Sequence, residues 1–226
     1  MVFALLLAMV TAVSPSQRGS TADVGTAASE RRSFPLLDSP QLASTLGPLR
    51  AELGSWVEYI VRTRGDQDVR FRVSAVPPAL EGGRVWLEVT ALGSESLPFA
   101  ARLLIVVATG KLERAILYAL GQAPLHIPVD SGERAIGSAR DAASVQVVHG
   151  RREEVTVPAG TFLATKLLIS AGRQTMRAWK SDAVPLWGLV RAHDGRRTIE
   201  LLRYGHGGAR SVFPSAQGKG RDSANE

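Results

Sequence analysis

Residues 55–76 read SWVEYIVRTRGDQDVRFRVSAV, and their apolar period is two. Val57, Tyr59 and Val61 fall on one side of an extended chain, and Trp56, Glu58, Ile60 and Arg62 on the other. Gly65-Asp66 marks a turn. Beyond it Val69, Phe71 and Val73 oppose Arg70, Arg72 and Ser74. Alternation on both sides of a turn predicts a half-buried β-hairpin.

The same period continues outward. In RVWLEVTA, residues 84–91, Val85, Leu87 and Val89 oppose Arg84, Trp86 and Glu88. Pro77-Pro78 and Gly82-Gly83 flank the gap before it. A fourth strand is expected from about Phe99 to Ala108, apolar on both faces. Residues 111–120, KLERAILYAL, read equally as a helix through Leu112, Ala115, Ile116 and Ala119 or as a strand. Residues 121–142 are rich in Gly, Pro and Asp and read as a long loop. Further strands are expected at 144–148, 154–157, 161–170, 174–181, 187–192 and 198–204. The expected class is mainly β (α+β). It is a single strongly curved antiparallel sheet or half-barrel with one or two short helices, at 39–51 and, on its helical reading, at 111–120.

Val2 to Val13, VFALLLAMVTAV, fits a signal-peptide core, although no Lys or Arg precedes it; a start codon further upstream or a buried helix would account for that. The expected organisation is a signal peptide at 1–18, a linker at 19–38, a β-rich domain at 39–212 and a polar tail at 213–226. Export to the periplasm follows from that leader. The chain has 226 residues, enough for one sizeable core. It has no Cys, which excludes disulfides, thiolate metal sites and a Cys nucleophile. No internal apolar run approaches the roughly 20 residues of a membrane span.

The formal charge of +6 comes mostly from scattered Arg; only Lys111, Lys166, Lys180 and Lys219 are Lys. Arg151-Arg152 is followed at once by Glu153-Glu154. Without clustering on one face, nucleic acid is not an expected partner. An anionic membrane surface remains open.

Catalytic signatures are absent. His126, His149, His193 and His206 form no closely spaced ligand set, so no metal and no cofactor are expected. No nucleophile elbow or phosphate loop occurs. The carboxylate pairs Asp66/Asp68 and Glu153/Glu154 neither support nor exclude a glycosidase. No catalytic residue is assigned, and the chain is read as a non-enzyme.

Two segments carry a family resemblance. Val155-Thr156-Val157-Pro158-Ala159-Gly160-Thr161-Phe162 leads into a strand. It is followed by Trp179-Lys180-Ser181-Asp182-Ala183-Val184-Pro185-Leu186-Trp187-Gly188-Leu189-Val190 and by an ending at Tyr204-Gly205. With the opening Trp56-Val57-Glu58-Tyr59, this order resembles uncharacterised exported bacterial proteins related to the periplasmic lipoprotein-carrier fold. That resemblance covers roughly residues 54–212. It implies an unclosed barrel with helices on its concave side, an apolar cavity for acyl chains and no catalytic residues. Few helices are expected here, which departs from that pattern.

The implied partner is a lipid or a lipidated protein. The candidate pocket residues are Val57, Tyr59, Val61, Val69, Phe71, Val73, Val85, Leu87, Val89 and Met176. An alternative is an envelope interaction module that binds glycans through Trp56 and Trp86, which share strand faces with charged residues.

Overall fold

The computed structural model describes residues 46, 48–80, 82–93, 99–119, 123–127, 145–171 and 174–213. The expected signal peptide, linker and most of the expected 39–51 helix lie outside them, as does the tail beyond 213.

Eleven strands form one antiparallel sheet. They are β1 (Trp56–Thr63), β2 (Val69–Leu80), β3 (Arg84–Leu92), β4 (Phe99–Val106), β5 (Lys111–Ala119), β6 (Leu125–Ile127), β7 (Val145–Val157), β8 (Gly160–Ala171), β9 (Gln174–Lys180), β10 (Leu189–His193) and β11 (Arg197–Gly205). Their order is β6-β5-β4-β3-β2-β1-β11-β10-β9-β8-β7. Two meanders, β1 to β6 and β7 to β11, are therefore joined where β1 pairs with β11. The first hairpin turns about Gly65, which sets Val57 opposite Val73, Tyr59 opposite Phe71 and Val61 opposite Val69. β6 and β7 stand at the two ends of the order and do not pair with each other among the described residues.

One apolar cluster runs along one face and draws buried residues from every strand but β6, whose Ile127 packs against it. Leu46, Leu49, Val184, Leu186 and Trp187 join it from outside the strands. The β9–β10 connection is buried and tied to the chain before β1 by reciprocal backbone bonds between Arg50 and Leu186, at 2.9 and 3.1 Å. Leu186 takes a left-handed backbone (φ 60°) there.

Several expectations change. No helix occurs among the described residues: 46 and 48–51 are irregular, and 111–119 is strand β5. The helical spacing in β5 has a local cause. Arg114 pairs with Leu104 and Leu112 with Ile105, so Glu113 is an extra, bulged residue. A bulge shifts the phase of alternation, and Leu112 and Ala115 thereby both reach the core three residues apart. The two strands expected at 144–148 and 154–157 are one, β7, with a register shift between His149 and Arg152. Pro77-Pro78 lies inside β2, where the register slips between Val76 and Leu80; proline has no N–H to give a ladder and sits at such irregularities. β4 stops at Val106, β10 covers 189–193, and the expected long loop contains β6.

Candidate functional site

The two faces of the sheet carry different chemistry. Of the expected pocket residues, Val57, Tyr59, Val61, Phe71, Val73, Val85, Leu87, Val89 and Met176 all belong to the inner cluster. Val69, at the hairpin end, is half-buried and outside it. Tyr59 packs on Phe71 with ring centroids 5.5 Å apart. Its hydroxyl donates to the Leu189 carbonyl at 3.0 Å, 130 residues away. Burial pushes the phenol well above its ordinary range, so it stays neutral. Inward-facing positions are thus apolar, and the polar tip of Tyr59 is satisfied.

Lys180 pairs with Leu189 across β9 and β10 and donates to the Leu46 carbonyl. Burial, and then the charge of Arg50, lower its pKa, against a raising effect of Asp182. Asp182 in turn bridges Arg50 at 3.0 Å and Arg152 at 3.6 Å. A cationic group therefore stands where the β9–β10 connection meets the chain before β1.

The outer face carries buried charge. Glu58 is 1% exposed. It accepts from Arg72 Nε at 2.8 Å and from Arg203 Nε at 2.7 Å. Glu88 is 2% exposed and pairs with Arg102 at 3.3 Å. Glu200 is held between Arg62 and Arg191. The sequence Trp-x-Glu occurs on β1 and again on β3, each time with an Arg opposite the Glu on the next strand. That Arg also lies over the Trp: Arg72 is 4.4 Å from the Trp56 ring and Arg102 is 4.9 Å from the Trp86 ring. One guanidinium thus neutralises a carboxylate and covers an indole. Both Trp are half-buried on this shared face.

Residues 206–213 cross back over this face. Ala209 N–H bonds the Gly54 carbonyl at 2.9 Å. Ser211 Oγ and Val212 N–H both donate to Glu88, the latter at 2.9 Å. Phe213 stacks on Tyr118 with centroids 4.0 Å apart. Beneath this strap is a cavity of about 630 Å³. Its floor is Trp56, Ser74, Glu88, Arg72, Thr90 and Leu92. The indole packs against Gly205, where a Cβ would come within 2.5 Å of Trp56 Nε1. Sequence reading missed the strap and the burial of Glu58 and Glu88. Part of the signal was available: a turn centred on Gly65 already sets Arg72 opposite Glu58.

Other candidates stay apart. Asp194 Oδ1 accepts the N–H groups of Arg196 and Arg197 at 3.0 and 2.7 Å, which is turn chemistry. Glu153 accepts from Trp179 Nε1 at 2.6 Å. Among the described residues no group of three His, Asp or Glu could hold a metal ion, and no helix is long and apolar enough to cross a membrane.

Neither a protein-family model nor a curated protein sequence matches this chain. Among solved structures it is similar to a candidate exported protein of Bacteroides fragilis with a YmcC-like fold, at 12% identity, over 70% of this chain and 98% of that one, with a TM-score of 0.37. It is also similar to a candidate lipoprotein of Parabacteroides distasonis, at 11% identity, over 70% and 99% of the two chains, with a TM-score of 0.33. MucB, solved in complex with MucA(peri), matches at 8% identity over 77% of this chain, with a TM-score of 0.42; the match spans 56% of MucB. These are distant likenesses and assign neither family nor role.

Proposed function

We propose that this chain is a non-enzymatic, exported cell-envelope protein, working in the periplasm. Its ligand is apolar, a lipid or the acyl part of a lipidated protein, held against the inner face of a sheet curved into a half-barrel. The observation that carries this is the apolar face to which every strand but β6 gives buried residues, on a sheet whose end strands do not pair with each other among the described residues. Open sheets of more than about ten strands curl, split or flatten; here the bulges in β5, β7 and β11, where Leu202 is the extra residue, favour curling. Acyl burial against such a face contributes about 0.8 kcal/mol per CH₂.

The outer carboxylates speak for a binding role over hydrolysis. Glu58 and Glu200 are each held between two guanidinia, and Glu88 is taken up by Arg102 and the strap. A carboxylate so occupied has its oxygens turned to fixed partners rather than to a substrate.

The test is expression from about residue 20 in a bacterial periplasm, followed by native mass spectrometry and organic extraction. A discrete added mass that extracts as lipid is expected. A bare-chain mass, together with no uptake of a fluorescent fatty acid, would overturn the reading.

A further inference from the structure

We propose that the outer-face cavity beneath residues 207–212 is a second binding site, for a small anion-bearing, hydroxyl-rich ligand such as a sugar phosphate. It is on the opposite face from the apolar cluster and stands without the lipid reading. Three observations carry it.

The first is size. About 630 Å³, in a groove half open to solvent, is within the range of small-molecule sites. The second is charge. Glu58 is shared by Arg72 and Arg203, so that group keeps an excess positive charge. Arg210 lines the cavity from the strap, is exposed, and pairs with no carboxylate among the described residues. Among the described residues Glu88 is the single carboxylate in the lining, and its oxygens already accept from Ser211 and Val212 and face Arg102. An entering anion meets the uncommitted guanidinium of Arg210, with Arg72 behind it, and no uncompensated negative charge among the described residues.

The third is the remaining lining. The Ser74 and Thr90 hydroxyls and the half-buried Trp56 ring line the same space. The hydroxyls and the edge of the Arg72-covered indole suit a hydroxylated ring, with Arg210 on its phosphate or carboxylate. The wall opposite is backbone at Gly207 and Gly208, where an added Cβ at Gly207 or Gly208 would meet nothing within 4 Å. The strap over the site is therefore thin, and it is fastened through Glu88 and Phe213 at its far end.

The phosphate could come from a soluble sugar phosphate or from a lipid headgroup. The experiment is an NMR titration of the indole N–H signals, with Trp56 assigned through Trp56→Phe. The probes are glucose 6-phosphate, glucose, and vesicles containing phosphatidylglycerol. A saturable shift of the Trp56 signal with glucose 6-phosphate, at least tenfold tighter than with glucose, is expected for a soluble ligand. A response confined to the vesicles assigns the same anion site to a headgroup. In either case Arg210→Ala weakens the response at least tenfold. That residue is exposed, so the other three indole signals should report an unchanged fold. No shift with either anionic probe, or an equal affinity in Arg210→Ala, would overturn the proposal. Lipid retention measured on the same Arg210→Ala protein separates this site from the inner face: it should not change.

Discussion

On β1, Val57, Tyr59 and Val61 enter an apolar cluster, while Trp56, Glu58 and Arg62 face the other way. The sequence alternation suggests a dry face and a wet one. Yet Glu58 and Glu88 are as buried as the valines beside them. The inner face buries side chains by excluding water from hydrocarbon. The outer face buries carboxylates by placing them under guanidinium groups that remain partly in solvent, as Arg203 does at 65% exposure against 1% for Glu58. One sheet thus hides two kinds of residue by two kinds of force, and substitutions should separate them.

The largest loss is expected on the inner face. Phe71→Ala removes a fully buried ring beside Tyr59, and should cost about 3–5 kcal/mol in a urea melt. The connection that closes onto that face should be nearly as sensitive. Gly188 has φ +72°, and a Cβ there would lie 2.8 Å from the Ser181 carbonyl oxygen. Gly188→Ala should cost about 2–4 kcal/mol.

The outer face should yield less. Glu58→Gln keeps the shape but removes the charge shared by Arg72 and Arg203. A loss of about 1–3 kcal/mol is expected, softened because both Arg can turn to water. Added salt should narrow the difference between Glu58→Gln and the parent and leave that of Phe71→Ala unchanged. If Glu58→Gln proves as costly as Phe71→Ala, the contrast between the faces fails.

The smallest effect is a pH dependence at His193. Burial first, then Arg177, Arg191 and Lys166, hold its pKa below the ordinary 6.5, against Asp194. As pH falls through about 6.5 the unfolded chain takes up a proton before the folded chain does. Stability should therefore drop over that window and level off once folded His193 titrates. In His193→Gln melts from pH 8 to 5 this component should be absent.

Much of the inner face is legible in the sequence, because a core-facing strand writes its burial as a period of two. Where the period breaks, the reading breaks. The Glu113 bulge brings Leu112 and Ala115 to one face at a helix-like spacing. The shift between His149 and Arg152 makes one long strand look like two. The outer site was less legible for another reason. Its cavity depends on Ser211 and Val212 reaching Glu88, more than 120 residues away in the chain. No local pattern encodes such a crossing. The Glu58–Arg72 pair is the exception, since hairpin register makes it a local fact.

The most direct test of apolar binding on the inner face uses a spin-labelled fatty acid and methyl NMR. Bound label should broaden the methyl signals of Val57, Val73 and Met176 while sparing the Trp56 indole signal on the outer face. Unchanged inner methyl signals at saturating label, or broadening confined to the outer face, would contradict an apolar site within the sheet.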